Sequence, residues 1–268
     1  RKEVGADVGA HHFSLWMDQG DPLAVAVEEA HANGLELYAD VGMNSTYCQC
    51  APDSHYGRLS ERFARAHPEL LCAENRVVFD YRKPQVRDYV VAVVDELLTR
   101  YDTDGVHLDF ARWGHREAYD LPSLLDTMRR IHTRRRRAQA QRGRQLGIAV
   151  RVPYDPPGTP EASPAAAAAA RSRPAAPPTG EPPTFLAAVG AWASQGLVDR
   201  ASVCLVDSRD PVAEAPSLAR YVEAVRGTAT ALWLDMYQGT WYLPVGGPQH
   251  DLALARQHAA SGVAGGVF

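Results

Sequence analysis

The stretch Tyr101-Asp-Thr-Asp-Gly-Val-His-Leu-Asp-Phe-Ala-Arg112 decides the fold class. Gly105 to Phe110 reads as a buried strand of a parallel sheet, preceded by an amphipathic helix and carrying a carboxylate, Asp109, at its end. In an α/β barrel the carboxyl ends of the strands form the mouth where chemistry is gathered, so an acid placed there is a candidate catalytic group. An ion pair with Arg112 or Arg151 is the structural alternative for the same residue. His107, two positions earlier, falls on the same side of the strand.

Working outward, short runs rich in β-branched and aromatic residues alternate with longer amphipathic stretches, the pattern of βα units. The segment from Asp21 to Gly34 reads as a helix with Asp21 as N-cap, Pro22 in the first turn and Gly34 as stop, followed by a strand from Leu35 to Val41. A second helix starts at Pro84, with Val86, Tyr89, Val90, Val93, Val94, Leu97 and Leu98 as its apolar stripe. A third runs from Pro122 to about Arg142 and leads into the strand Gly147 to Pro153. Further strands are expected at Ala201 to Val206, Ala229 to Asp235 and Gly262 to Phe268, separated by helical stretches at Phe185 to Gln195, Pro216 to Val225 and Gln249 to Ala260. Between Pro156 and Pro183 the composition turns to Pro, Ala, Gly and Ser, which predicts a disordered, solvated insertion after a strand.

The 268 residues, 46% of them apolar, suffice for one large core, and a single domain is expected over 1–268. A net charge of -4 gives no broad positive field, so nucleic acid is not an expected partner, and the basic run Arg134 to Arg137 reads as a solvent-facing helix end. No apolar run reaches the roughly 18 residues of a membrane span. Four cysteines, Cys48, Cys50, Cys72 and Cys204, are too few and too scattered for a disulfide framework, and a bridge among the first three stays open in an oxidising compartment. The chain opens on Arg1, and removal of a leader or of a further part of the fold is expected.

Several blocks together carry a family resemblance: Asp21-Pro-Leu with Glu28-Glu-Ala-His, Gly34-Leu-Glu-Leu-Tyr, Phe63-Ala-Arg-Ala-His-Pro-Glu-Leu, Pro84-Gln-Val-Arg-Asp-Tyr and Tyr101 to Phe110. The sequence resembles the family-10-like glycosyl hydrolases, TIM-barrel proteins associated with bacterial cell-surface or extracellular carbohydrate. The resemblance implies a TIM (β/α)8-type barrel in which Leu35 to Val41 is strand three, Gly105 to Phe110 strand four and Gly262 to Phe268 strand eight. Strands one and two then lack counterparts, so an N-terminally incomplete barrel covering strands three to eight is expected, with the Pro/Ala-rich insertion 156–183 after strand five. It also implies a carbohydrate substrate and an extracellular or cell-surface location. Oligomeric state is left open.

Glycosidic cleavage needs two carboxyl groups, one to protonate the leaving oxygen and one to attack or to activate water. Asp109 is the first candidate, and Asp235 ranks ahead of Asp207 as its partner, because Trp233, Tyr237 and Trp241 supply aromatic faces around it. Asp40, with Tyr38 and Asn44, suits substrate binding, as do His107, Arg112 and Arg151. A noncatalytic carbohydrate-binding barrel is the rival from another class. His11, His12, Cys48, Cys50 and His55 raise a metal-dependent amide or ester hydrolase as a third reading, but their spacing matches no recognised ligand motif, and neither metal nor cofactor is expected.

Overall fold

The computed structural model describes residues 20–44, 46, 62–73, 78–111, 116–155, 185–204, 215–235 and 265–267. In chain order these form α1 (Pro22–Ala32), β1 (Tyr38–Gly42), α2 (Arg62–Ala66), α3 (Pro84–Arg100), β2 (Gly105–Asp109), α4 (Leu121–Arg142), β3 (Gly147–Pro153), α5 (Phe185–Ser194), β4 (Arg200–Cys204), α6 (Ala215–Val225), β5 (Ala231–Asp235) and β6 (Gly265–Val267), with short 3-10 turns at Pro68–Leu70 and Arg116–Ala118. The fold is α/β, its strands alternating with helices as in TIM-type barrels. Two compact units divide the chain, Arg1–His107 with His115–Gly147, and Leu108–Gly114 with Ile148–Phe268.

In the first unit β1 neighbours β2. The Asp21 side chain accepts from Leu23 N and caps α1, with Pro22 in the first turn, and Gly34 takes φ +69 after the helix. Leu35, expected in the strand, is instead exposed ahead of β1, and Leu37 N bonds to a side chain, Asp104 Oδ2 at 2.7 Å. Helix α3 buries Val86, Val90, Val91, Val94 and Leu98, an i, i+4 stripe, and neighbours α4. Helix α4 opens with a reciprocal capping pair, Asp120 and Ser123, and closes on Gly143 at φ 68. Its basic run is not all solvent-facing: Arg135 is buried, and Arg134 pairs with Asp95 at 3.8 Å. The Tyr38 ring lies over Gly105 and Gly147, at the starts of β2 and β3, where a Cβ at either position would overlap it.

Asp104 ties this unit together. Its Oδ2 accepts from Leu37 N and lies 3.0 Å from His31 Nε2, while Oδ1 accepts from Arg144 Nη1 at 2.6 Å. Burial pushes the carboxyl upward, but the bonds from Leu37, His31 and Arg144 outweigh it and hold the group below its ordinary 3.8. A depressed folded value means stability that is present above 3.8 and lost as the pH falls below it. Asp104→Asn is therefore expected to be less stable than the native chain at neutral pH, with the gap narrowing on acidification. Urea titrations at several pH values measure this, and a gap constant with pH would refute it.

In the second unit the end of β2 lies beside β3, and β3 to β6 follow in chain order. Phe110 N donates to Arg151 O, and β3–β4, β4–β5 and β5–β6 are parallel. Alternation sorts the strands into two faces. One carries Ile148, Val150, Val152, Ala201, Val203 and Leu232, all buried. Phe110 packs on Phe185 and Trp192 of α5, with centroids 5.8 and 5.6 Å apart. The other face carries Asp109, Arg151, Ser202, Cys204, Trp233 and Asp235.

The expected insertion 156–183 lies outside the described residues, but its flanks are joined. Asp155, buried beyond β3, accepts from Leu186 N at 2.7 Å and from Tyr221 Oη at 3.2 Å. If the intervening length contributes no packing, it adds only closure entropy, which grows slowly with loop size. Replacing 156–183 by a Gly/Ser linker of about six residues, whose mean span is about 13 Å, should leave the thermal midpoint within about 3 °C. A larger loss would assign the insertion a packing role.

Candidate functional site

The site is built around one arginine. Arg151 sits in the middle of β3 between Val150 and Val152, whose side chains fill the opposite face. Register places it opposite Ser202 of β4, which in turn lies opposite Trp233 of β5. Two residues further on, Cys204 stands opposite Asp235. The end of β2 brings Asp109 to the other side. Three parallel strand ends thus deliver two acids and a thiol to a single cation.

Each nitrogen of the Arg151 guanidinium has its own acceptor. Nε donates to Asp235 Oδ2, Nη1 to both Asp109 oxygens at 3.0 and 3.2 Å, and Nη2 to Cys204 Sγ at 2.9 Å. Asp109 also accepts from Ala111 N at 2.8 Å, an Asx-type bond that fixes the turn leaving β2. Asp109, Asp235 and Cys204 are 6%, 5% and 4% exposed. Burial alone would make the guanidinium easier to deprotonate, but Cys204, Asp109 and Asp235 outweigh it and push Arg151 above its ordinary range. The cation is permanent, and its fork geometry suits carboxylates.

The remaining candidates fall in different places. Asp40 is exposed, and its Oδ1 lies 2.6 Å from His107 Nδ1 in the first unit, an acid–imidazole pair on neighbouring strands. Tyr38 stands at the start of β1 over the two glycines, away from the carboxyl ends of the strands. Asn44 is buried and uses its amide locally: it accepts from Phe79 N at 2.7 Å and donates to Tyr119 Oη at 3.0 Å. Trp233 has the Arg200 guanidinium 5.6 Å from its ring centre, a cation–π arrangement. Arg112, Asp207, Tyr237 and Trp241 lie outside the described residues, as do His11, His12, Cys48, Cys50 and His55. Among the described residues no group of three or more His, Cys, Asp or Glu is placed to hold a metal ion.

Comparison with known proteins bears on this arrangement. The model of the family described as Glycosyl hydrolase-like 10 matches residues 3–123. Over this stretch the chain is similar to that family. A curated relative, glycosyl hydrolase YngK of Bacillus subtilis (strain 168), is 33% identical over 95 residues, a match covering 33% of this chain and 17% of YngK. A solved structure, a glycoside hydrolase family 18 N-acetylglucosaminidase from Paenibacillus barengoltzii, superposes with a TM-score of 0.44 at 13% identity, over 82% of this chain and 57% of that one. The matched stretch contains Tyr38, Asp40, Asn44, His107 and Asp109. Arg151, Cys204, Trp233 and Asp235 lie beyond it.

Cys204 is the participant that the sequence, with its four scattered cysteines, does not single out. Its signal was local: alternation along Ala201-Ser202-Val203-Cys204 puts Ser202 and Cys204 on one face, and Cys204 at the carboxyl end of a parallel strand.

Proposed function

We propose that this chain acts as a glycoside hydrolase on a polysaccharide or glycoconjugate, with Asp109 and Asp235 as its carboxylate pair. The observation that carries the reading is the convergence of two buried strand-end acids on Arg151. Oxygens bonded to adjacent nitrogens of one guanidinium stand no more than about 8 Å apart, which spans the separations of about 5–5.5 Å used for retention and part of the wider range used for inversion. One acid protonates the leaving oxygen, and the other attacks the anomeric carbon or activates water. Arg151 orients both. Within the same unit as the two acids, Trp233 offers an aromatic face. The family likeness of residues 3–123 supports the class of substrate and an extracellular or cell-surface location. Among the described residues no helix is long and apolar enough to cross a membrane.

A screen of polysaccharides for released reducing ends tests the reading, with Asp235→Asn run beside the native chain. Hydrolysis that persists undiminished in this variant removes Asp235 from the chemistry. The second reading, a noncatalytic carbohydrate-binding barrel, draws on the same contact, because Arg151 already occupies oxygens of both acids. Glycan binding without product would favour it.

A further inference from the structure

The thiol in the cluster has a role that acid chemistry leaves unassigned. We infer that Cys204 is a positioning residue, which sets the rotation of the Arg151 guanidinium and through it the placement of Asp109 and Asp235. The inference rests on the hydrolase reading for its catalytic consequence, but not for its geometry.

A guanidinium held only through Nε and Nη1 has its remaining terminal nitrogen, Nη2, to anchor. In this site Nη2 faces Cys204 Sγ at 2.9 Å, and Cys204 is delivered by β4, the strand between those bearing Arg151 and Asp235. The thiol is fixed from its own backbone as well: Cys204 O accepts from Tyr154 N, and the Cys204 position is in register with Pro153 on one side and Asp235 on the other. Cys204 acts on Arg151 in the same direction as the two acids, favouring the charged guanidinium. Three acceptors on three strands therefore define the plane of the cation. Removing one weakens the hold on the fork, and small misplacements of groups about a reaction centre cost up to about a hundredfold in rate.

The test is carried on the full chain with Cys204→Ser, Cys204→Ala and Cys204→Val, the last filling the space of the sulfur if the alanine variant fails to fold. Nitrogen NMR of the Arg151 side chain, assigned by its absence in Arg151→Lys, reads rotation about the guanidinium. Native chain and Cys204→Ser should show distinct, slowly exchanging Nη1 and Nη2. The apolar variants should exchange at least about tenfold faster. On a glycan that the native chain cleaves, kcat should fall about tenfold in the apolar variants with KM within about twofold, and Cys204→Ser should recover most of the loss. Unchanged exchange in a folded apolar variant overturns the inference. Faster exchange in a protein that cleaves no glycan upholds the positioning role while removing the hydrolase reading.

Discussion

Asp109→Asn should lower glycan hydrolysis by at least about a thousandfold, the range in which a lost acid, base or nucleophile falls. The substitution keeps the shape of the side chain and one carbonyl oxygen, so the bonds from Ala111 N and from Arg151 Nη1 have an acceptor left. What disappears is one negative charge beside a buried cation. Since a charge-assisted bond contributes more than a neutral one, a stability loss of about 1–3 kcal/mol is expected, measurable by urea unfolding. Activity and stability are thereby separable: a folded variant with native turnover would show that Asp109 only balances Arg151. An equal fall of kcat and kcat/KM would place its contribution in the transition state.

The strand ends were legible in the sequence because each acid closes a β-branched or apolar run: Gly105-Val-His-Leu-Asp109 and Ala231-Leu-Trp-Leu-Asp235. Period two fixes the face, and the βα order fixes the end of the sheet on which they emerge. Helix caps at Asp21 and Asp120 and the stripe of α3 follow from equally local chemistry. The grouping of the site was not legible. Arg151 stands 42 residues from Asp109 and 84 from Asp235, and pattern along the chain does not say which strand-end acid turns toward which cation. Arg151 was open to two readings for this reason, as an ion-pair partner or as a substrate contact. Leu35 and Arg135 show the complementary limit. An apolar residue lies exposed before a strand and an arginine is buried in a helix, since tertiary contacts rather than local propensity decide both. Tyr38 is grouped with Asp40 by nearness in sequence, and the room that the glycines at 105 and 147 make for its ring is a contact between strands that local pattern does not show.

Arg151→Met should be the most damaging substitution to stability, at about 3–5 kcal/mol, since breaking a buried ion pair strands its partner charges. Asp109 and Asp235 would face one another and Cys204 with no cation between them, each too covered to regain full hydration. Methionine fills much of the volume, so the loss reports charge rather than a cavity. The triple variant Arg151→Met, Asp109→Asn, Asp235→Asn separates the two. With the acids neutralised, the penalty for missing charge compensation is removed, and stability should return to within about 1–2 kcal/mol of the native chain, as replacement of whole buried ion clusters often does. Urea unfolding of the native, single and triple variants measures the cycle. If the triple variant were no more stable than Arg151→Met, the guanidinium would be holding the strands by packing, and the carboxylates would not be its counterions in any energetic sense. Recovery of stability without recovery of hydrolysis would locate the purpose of the charged cluster in the chemistry at the strand ends, since an uncharged cluster then suffices for the fold.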